Sequence, residues 1–518
     1  MNGPEQDWEG RLAGKPPLTN GFTSKLERKV RERIRMRSNE RNARKSPFRA
    51  VAAVLSITLL LGGGWWFRDD LKQLAGQGAS NDALASIFDD PLAGQEAVLK
   101  VGLVEYGDFD NIKKPFIIRH PFVQIETVFA SGEILQDPDK YSEWFAKENA
   151  DLLMLPMHKY RELAADGKLK ALDTLIKQSN FDVEAIHKPL IDLLRNAGGG
   201  ELYGLPVEFQ SSALFVNKTL FAKHNIPLPD ESATMDDILK LASRFAGTDA
   251  AGLTTYERGN PYEIARIAGQ SSGLKTLAFE KERVTAMVQT DGWKRVWEQV
   301  AEGIEAGWIQ YPEKMDMTKG SVSMSEIMKN DLFAQGKAAM SLAGSNYYGF
   351  LIDEEARGKK KPGFEWMTSS YRIDSAATNQ GEYMEPMFVY AMSSSTNNED
   401  AAWELLQFTA GPEIASRFDQ SSRYGGKLLG RMSAMKSQPK EKWAGFYSMQ
   451  PDPSNAAAEL ALQADARYGE AASLLGRASS KQFLDVVNGT KTVDQALAEL
   501  QTELNASLGK LGKRGEQP

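Results

Sequence analysis

Two apolar patterns divide this chain. The first is a single uncharged run, AVAAVLSITLLLGGGWWF, from Ala50 to Phe67. The second begins at Val98, where short apolar stretches alternate with segments of helical spacing. VLKVGLV at 98–104, VQIETVFAS at 123–131 and ADLLMLP at 150–156 read as strands, and a helix is expected from His158 onward. Such alternation predicts βαβ units and a mainly parallel sheet. A turn at Gly198, Gly199 and Gly200 leads into LYGLP at 202–206 and SALFVNK at 212–218, two short strands that carry the chain from one lobe to another. Near the end, Val493, Leu497, Leu500, Leu504, Leu508 and Leu511 are spaced by three or four, and Thr492 with Gln495 forms a capping box, so a buried helical stripe is expected there. Trp293, Trp297 and Trp308 lie on similar spacings and belong to the core. Residues 68–97, rich in Gly, Ala, Ser and Asp without a sustained period, read as a tether.

Charge gives the first run a meaning. Eighteen helical residues reach about 27 Å, close to the thickness of a bilayer's hydrocarbon core. From Lys25 to Arg49 there are eleven Lys or Arg against three Glu, whereas Arg68, Asp69 and Asp70 follow the run. The positive-inside bias puts residues 1–49 in the cytoplasm, with Trp65, Trp66 and Phe67 at the outer headgroups. The expected layout is a basic cytoplasmic head (1–49), a single-pass signal anchor through the cell membrane (50–67), a tether and an extracellular body (98–518). A cleaved secretory signal is the competing reading, but its nearest small-x-small site, Ala83-Leu84-Ala85, lies well beyond the run.

Composition narrows the chemistry. The 518 residues are 42% apolar and 9% aromatic, enough for two or three cored domains. Of 62 Lys and Arg and 69 Asp and Glu, 13 and 6 fall in residues 1–49, so the head carries +7 and the remainder −14. A body that acidic is not held on nucleic acid by counterion release. No cysteine is present, which excludes disulfides, thiolate metal sites, cysteine nucleophiles and lipid attachment at a cysteine, and leaves Ala50–Phe67 as the expected membrane anchor. His120, His158, His187 and His224 are scattered without ligand spacing, and no metal or cofactor is expected.

Several segments, in order, resemble the extracellular solute-binding proteins of ABC transporters, the carbohydrate-type group that includes maltose-binding protein. They are Ala150–Leu155 with Leu163–Ile176, Leu202-Tyr203-Gly204-Leu205-Pro206, Phe215–Phe221 with Asn225–Pro229, Phe333–Met340, Ala401–Phe408 and Asn488–Leu497. Met235 stands where that family usually has Trp before an acidic pair, here Asp236-Asp237. The resemblance covers nearly all of residues 98–510. It implies a periplasmic-binding-protein-like type II fold, in which two α/β lobes joined by a hinge close on a ligand in the cleft between them. Crossings are expected near Pro206–Phe209, Pro386–Tyr390 and Tyr424–Leu428, giving one lobe of about 98–206 plus 388–425 and another of 207–387 plus 426–518. It also implies a monomer that delivers a small solute, expected to be an oligosaccharide, to ABC permease subunits.

Sugar sites need carboxylates or amides for hydroxyl groups and an aromatic face for the ring. The ligand-binding candidates are Tyr106 and Asp108 after the first strand, Glu208 and Gln210 after the Y-G-L-P segment, Tyr256 and Arg258 in TTYERGN, Asn346 and Tyr347 after AAMSLAG, and Trp366 and Glu385 near the second crossing. For Glu208 the alternative is a salt bridge in the hinge. Two other roles stay open on sequence: a membrane-anchored sensor built on the same binding domain, and a secreted glycan-active enzyme. The second lacks support, since no H-E-x-x-H or phosphate-binding loop occurs.

Overall fold

The computed structural model describes residues 92 and 95–511, apart from 105–108, 257–259, 281–282, 313–323, 357–362, 372–383, 421–426, 449–464 and 466. The run Ala50–Phe67 and most of the tether lie outside the described residues. Within them, no helix is long and apolar enough to cross a membrane. The expected tether ends early: Leu92 is only 9% exposed and packs into the core.

Among the described residues thirteen strands occur in chain order: β1 (Ala97–Leu103), β2 (Val123–Phe129), β3 (Leu152–Leu155), β4 (Gly204–Pro206), β5 (Glu208–Asn217), β6 (Ala251–Thr255), β7 (Leu277–Phe279), β8 (Val284–Ala286), β9 (Ala338–Gly344), β10 (Trp366–Ser369), β11 (Met384–Pro386), β12 (Val389–Met392) and β13 (Leu428–Leu429). Five form one sheet, in the order β2-β1-β3-β12-β4. A second follows the path β10-β5-β9-β6, with β11 and β13 paired to β5, and β7 pairs with β8. All four residues of β3 are buried, as suits a strand lying between β1 and β12 with both faces covered. In β1, Leu99, Val101 and Leu103 are buried while Val98 is exposed.

The sheets are mixed rather than mainly parallel. β1 pairs in parallel with β2 and β3, and β6 with β9, but β12 runs antiparallel to β3 and β4, and β5 antiparallel to β9 and β10. The reason is the return path. β12 comes back into the first sheet from the second, entering at the edge by which β4 left.

Helices cover both sheets. Phe109–Arg119 and Glu399–Thr409 pack together over the first, with the Phe116 and Phe408 rings 5.5 Å apart. On the second, Met235–Ser243 lies against β6 so closely that a Cβ on Gly252 would stand 2.0 Å from the Ala242 carbonyl oxygen. Met235 is buried at the start of that helix, and Asp237 of the acidic pair accepts from the Thr234 backbone and hydroxyl in a capping box. Trp293 and Trp297 are 1% exposed and Trp308 8%, so all three are core residues. The C-terminal stripe forms the helix Val493–Leu508, opened by the Thr492–Gln495 capping box; Leu511 is buried just beyond its end.

Candidate functional site

β5 starts earlier than its apolar pattern implies, at Glu208, directly after β4 with only Val207 between them. Its first residues collect the other two connections between the sheets. Met384, Glu385 and Pro386 of β11 lie opposite Ser211, Gln210 and Phe209, while Leu428 and Leu429 of β13 lie opposite Phe209 and Glu208. Backbone bonds close the junction: Met387 N–H donates to Glu208 O at 3.0 Å, Gly430 N–H to Val207 O at 2.7 Å and His187 N–H to Gly430 O at 2.7 Å. Three crossings thus meet at the start of one strand. Residues 421–426, the upstream part of the third crossing, lie outside the described residues.

One side of this junction is aromatic. Phe209 stacks on His187 at 5.8 Å and meets Tyr447 edge-on at 5.1 Å, and the Tyr447 hydroxyl donates to Leu429 O at 2.7 Å. Burial lowers the His187 imidazole to about 4. Its Nε2 has no hydrogen-bond partner among the described residues.

The opposite side is polar, because residues two apart on a strand share a face. Glu208 and Gln210 lie on that face. Glu385 is directly opposite Gln210, and continuing the β13 register by one residue brings Lys427 opposite Gln210 from the other flank. Lys427 Nζ stands 2.7 Å from a carboxylate oxygen of Glu208, whose side chain is 10% exposed. Directly opposed residues are near enough to interact. The result is a row of two carboxylates, an amide and an ammonium at the hinge.

The carboxyl ends of β6 and β9 reach the same edge of the second sheet. Thr255 pairs with Leu342, and Gly344 with Ser212 of β5. Tyr256 follows β6, and the helix Ser345–Ala356 follows β9 without a break. In the first sheet, β1, β3 and β4 likewise end beside the junction, where β12 begins. Ligands of open α/β sheets bind beyond such carboxyl edges.

The candidates separate on this frame. Glu208, Gln210, Glu385, Tyr256 and Asn346 gather at the hinge edge; Asn346 is exposed, Gln210, Glu385 and Tyr256 are half-buried, and Glu208 is buried against Lys427. Tyr347 and Trp366 sit in the core at 1% and 2% exposure, with Phe215 packed between them at 5.0 Å and 5.8 Å. Tyr106, Asp108 and Arg258 lie outside the described residues. Sequence reasoning missed Lys427, because a two-residue strand leaves no period to read. It also missed Asp331, whose only signal was its place two residues before the Phe333–Met340 segment.

Among the described residues, no cluster of His, Asp and Glu has the arrangement of a metal site. A depression of about 460 Å³ lined by Lys481, Gln482, Glu499 and Glu503 is an open groove on the C-terminal helices, which carry none of the three crossings.

Residues 124–428, more than half of the chain, match the family described as bacterial extracellular solute-binding protein. Among solved structures, the chain is similar to an extracellular solute-binding protein family 1 from Alicyclobacillus acidocaldarius, with 14% identity over 80% of this chain and 99% of that one, at a TM-score of 0.55. It is similar to a sugar transporter from Rhizobium etli in an open conformation, with 17% identity over 79% and 99%, at 0.54. It is also similar to the sugar-binding protein MalE of Xanthomonas citri, with 16% identity over 81% and 100%, at 0.52. At these identities the likeness is one of fold.

Proposed function

Because the chain belongs to the bacterial extracellular solute-binding proteins, we propose that it captures a small carbohydrate in the cleft at the hinge and hands it to the permease subunits of an ABC importer, without chemical change. The observation that carries this reading is the convergence of three crossings on a polar row, Glu385, Gln210, Lys427 and Glu208, with Tyr256 and Asn346 beside it. Carboxylates and amides accept sugar hydroxyls, and an aromatic ring covers the apolar face of a pyranose. Two of the similar structures carry sugar in their descriptions, which agrees with that chemistry.

The mechanism follows from the junction. A ligand touching residues on both sheets binds the closed arrangement more tightly than the open one, and its differential affinity shifts the population toward closure. Glu208 and Lys427 hold each other until sugar hydroxyls compete for them. Ala50–Phe67 tethers the protein to the outer face of the cell membrane, with its basic head in the cytoplasm and the binding domain acting as a monomer.

Thermal unfolding of the full-length protein in detergent tests the reading, using glucose, maltose, maltotriose, trehalose and mannitol, with amino acids, polyamines and phosphate esters as controls. A sugar at 100 times its dissociation constant adds about 2.7 kcal/mol and raises the midpoint visibly. A response to controls alone, or to nothing, rejects the carbohydrate reading. Membrane fractionation tests the anchor: carbonate-resistant sedimentation is expected for the full chain and lost on deleting Ala50–Phe67.

A further inference from the structure

The hinge row leaves unused a buried carboxyl and a buried hydroxyl that face each other just behind it. Asp331, 2% exposed, opens the turn before β9. Its Oδ1 accepts from the Ala334 N–H at 2.6 Å and from the Tyr347 hydroxyl, while Oδ2 has no hydrogen-bond partner among the described residues. The Tyr347 ring is held edge-on by Phe215 at 5.0 Å and Phe333 at 6.4 Å. The Tyr256 ring leans on it with centroids 4.8 Å apart and planes inclined by 40°, and Phe350 lies 6.2 Å from Tyr256. A polar pair in an aromatic core is expensive to desolvate, and apolar residues of the same volume would fill the space. What such a pair supplies is direction: the hydrogen bond at the far end of the Tyr347 ring fixes the ring's axis, and the edge-on Phe215 and Phe333 fix its plane, so Tyr256 rests on a defined surface.

We propose that Asp331 and Tyr347 are positioning residues that set the tilt of Tyr256, and that the half-buried Tyr256 ring is the face on which a sugar ring stacks. This rests on the carbohydrate reading above. Tyr347 also stands in the first turn of Ser345–Ala356, so the same bond orients the backbone that presents Asn346 at the hinge edge. Aromatic stacking depends steeply on offset and tilt. A rigid support therefore enters affinity as pre-organisation, with no contact of its own to the ligand.

The test is a mutant cycle on the full-length protein, using the panel sugar with the lowest dissociation constant. Tyr256→Ala should weaken binding by at least about tenfold, as loss of an aromatic anchor does. Tyr347→Phe, which removes one oxygen, should weaken it about fivefold, the worth of one hydrogen bond. Asp331→Asn keeps an acceptor oxygen and should stay within roughly twofold of wild type, whereas Asp331→Leu should not. In the Tyr256→Ala background, Tyr347→Phe should change binding by less than about twofold, because coupled residues are not additive. Equal losses in both backgrounds, or an unchanged affinity in Tyr347→Phe, overturn the positioning role. Unchanged binding in Tyr256→Ala overturns the stacking role of that ring, whereas no sugar bound at all overturns the carbohydrate reading. A ligand-free arm keeps the two separate. With 3-fluorotyrosine incorporated, the Tyr256 resonance, identified by its loss in Tyr256→Phe, should be single in wild type and shifted or broadened in Tyr347→Phe; an unaltered resonance overturns the proposal whatever the ligand.

Discussion

Single side chains at the hinge make two measurable statements. The Glu208 carboxylate is 10% exposed and has Lys427 at 2.7 Å. Taking the cation away leaves a mostly buried charge without it, so Lys427→Met should lower stability by about 1–3 kcal/mol, and the double variant Glu208→Gln with Lys427→Met should recover part of the loss. Urea unfolding of the three variants checks this; an additive double variant would show that the pair is not coupled. His187 has the opposite preference, for neutrality. Its imidazole titrates near 4 when folded, below the ordinary value of about 6.5. As pH falls from 6.5 toward 4, the unfolded chain takes up a proton that the folded chain refuses, so stability is complete above 6.5, declines through that window and levels off below it. Allowing for solvent screening of a half-buried ring, the loss is about 2 kcal/mol. His187→Phe should flatten the profile between pH 6.5 and 4.5, measured as the wild-type-minus-variant difference.

At the scale of elements, close approach of backbones decides which substitutions matter. Gly252 lets Met235–Ser243 rest directly on β6, and a methyl there meets main chain rather than a movable side chain. Gly252→Ala should therefore cost about 1–3 kcal/mol of stability while leaving sugar affinity unchanged, because the contact lies away from the hinge row. Thr492→Ala removes one half of the capping box that opens Val493–Leu508 and should cost about 1 kcal/mol, read by thermal unfolding. Both elements were visible in the sequence. The capping box is a local signal, and the helix period reports a face that any partner could cover. What the period could not say is that β5 begins at Glu208: Glu208, Gln210 and Ser212 are polar on one face of a strand whose start pairs with residues about 170 to 220 positions away.

For the whole molecule, the junction of three crossings forecasts the motion. Bound sugar should lower the radius of gyration in small-angle scattering, and Tyr256→Ala should require proportionally more sugar to reach the same decrease. A radius that stays constant at saturating sugar would rule out closure around the junction. The mixed sheets belong to this scale as well. Once the chain must return from the second sheet through the hinge, β12 can enter the first sheet only against the direction of β3 and β4. Alternation of strands and helices along a sequence records none of this, since strand direction is set by where the chain re-enters.

Sequence by itself determined the first five strands, the burial of Trp293, Trp297 and Trp308, the capping of the last helix and the family to which the chain belongs. Each of these depends on local spacing or on motifs read in order along the chain. Tertiary structure alone decided which candidates stand together. Asn346 and Tyr347 are neighbours in sequence, yet one is exposed at the hinge edge and the other is locked in the core by Asp331. Trp366, a candidate by its place near a strand end, became core because β10 pairs with the buried last four residues of β5. Lys427 gained its place only because β13 lies beside β5. Burial and pairing are properties of contacts distant in sequence, and the physical chemistry of a site begins only when those contacts form.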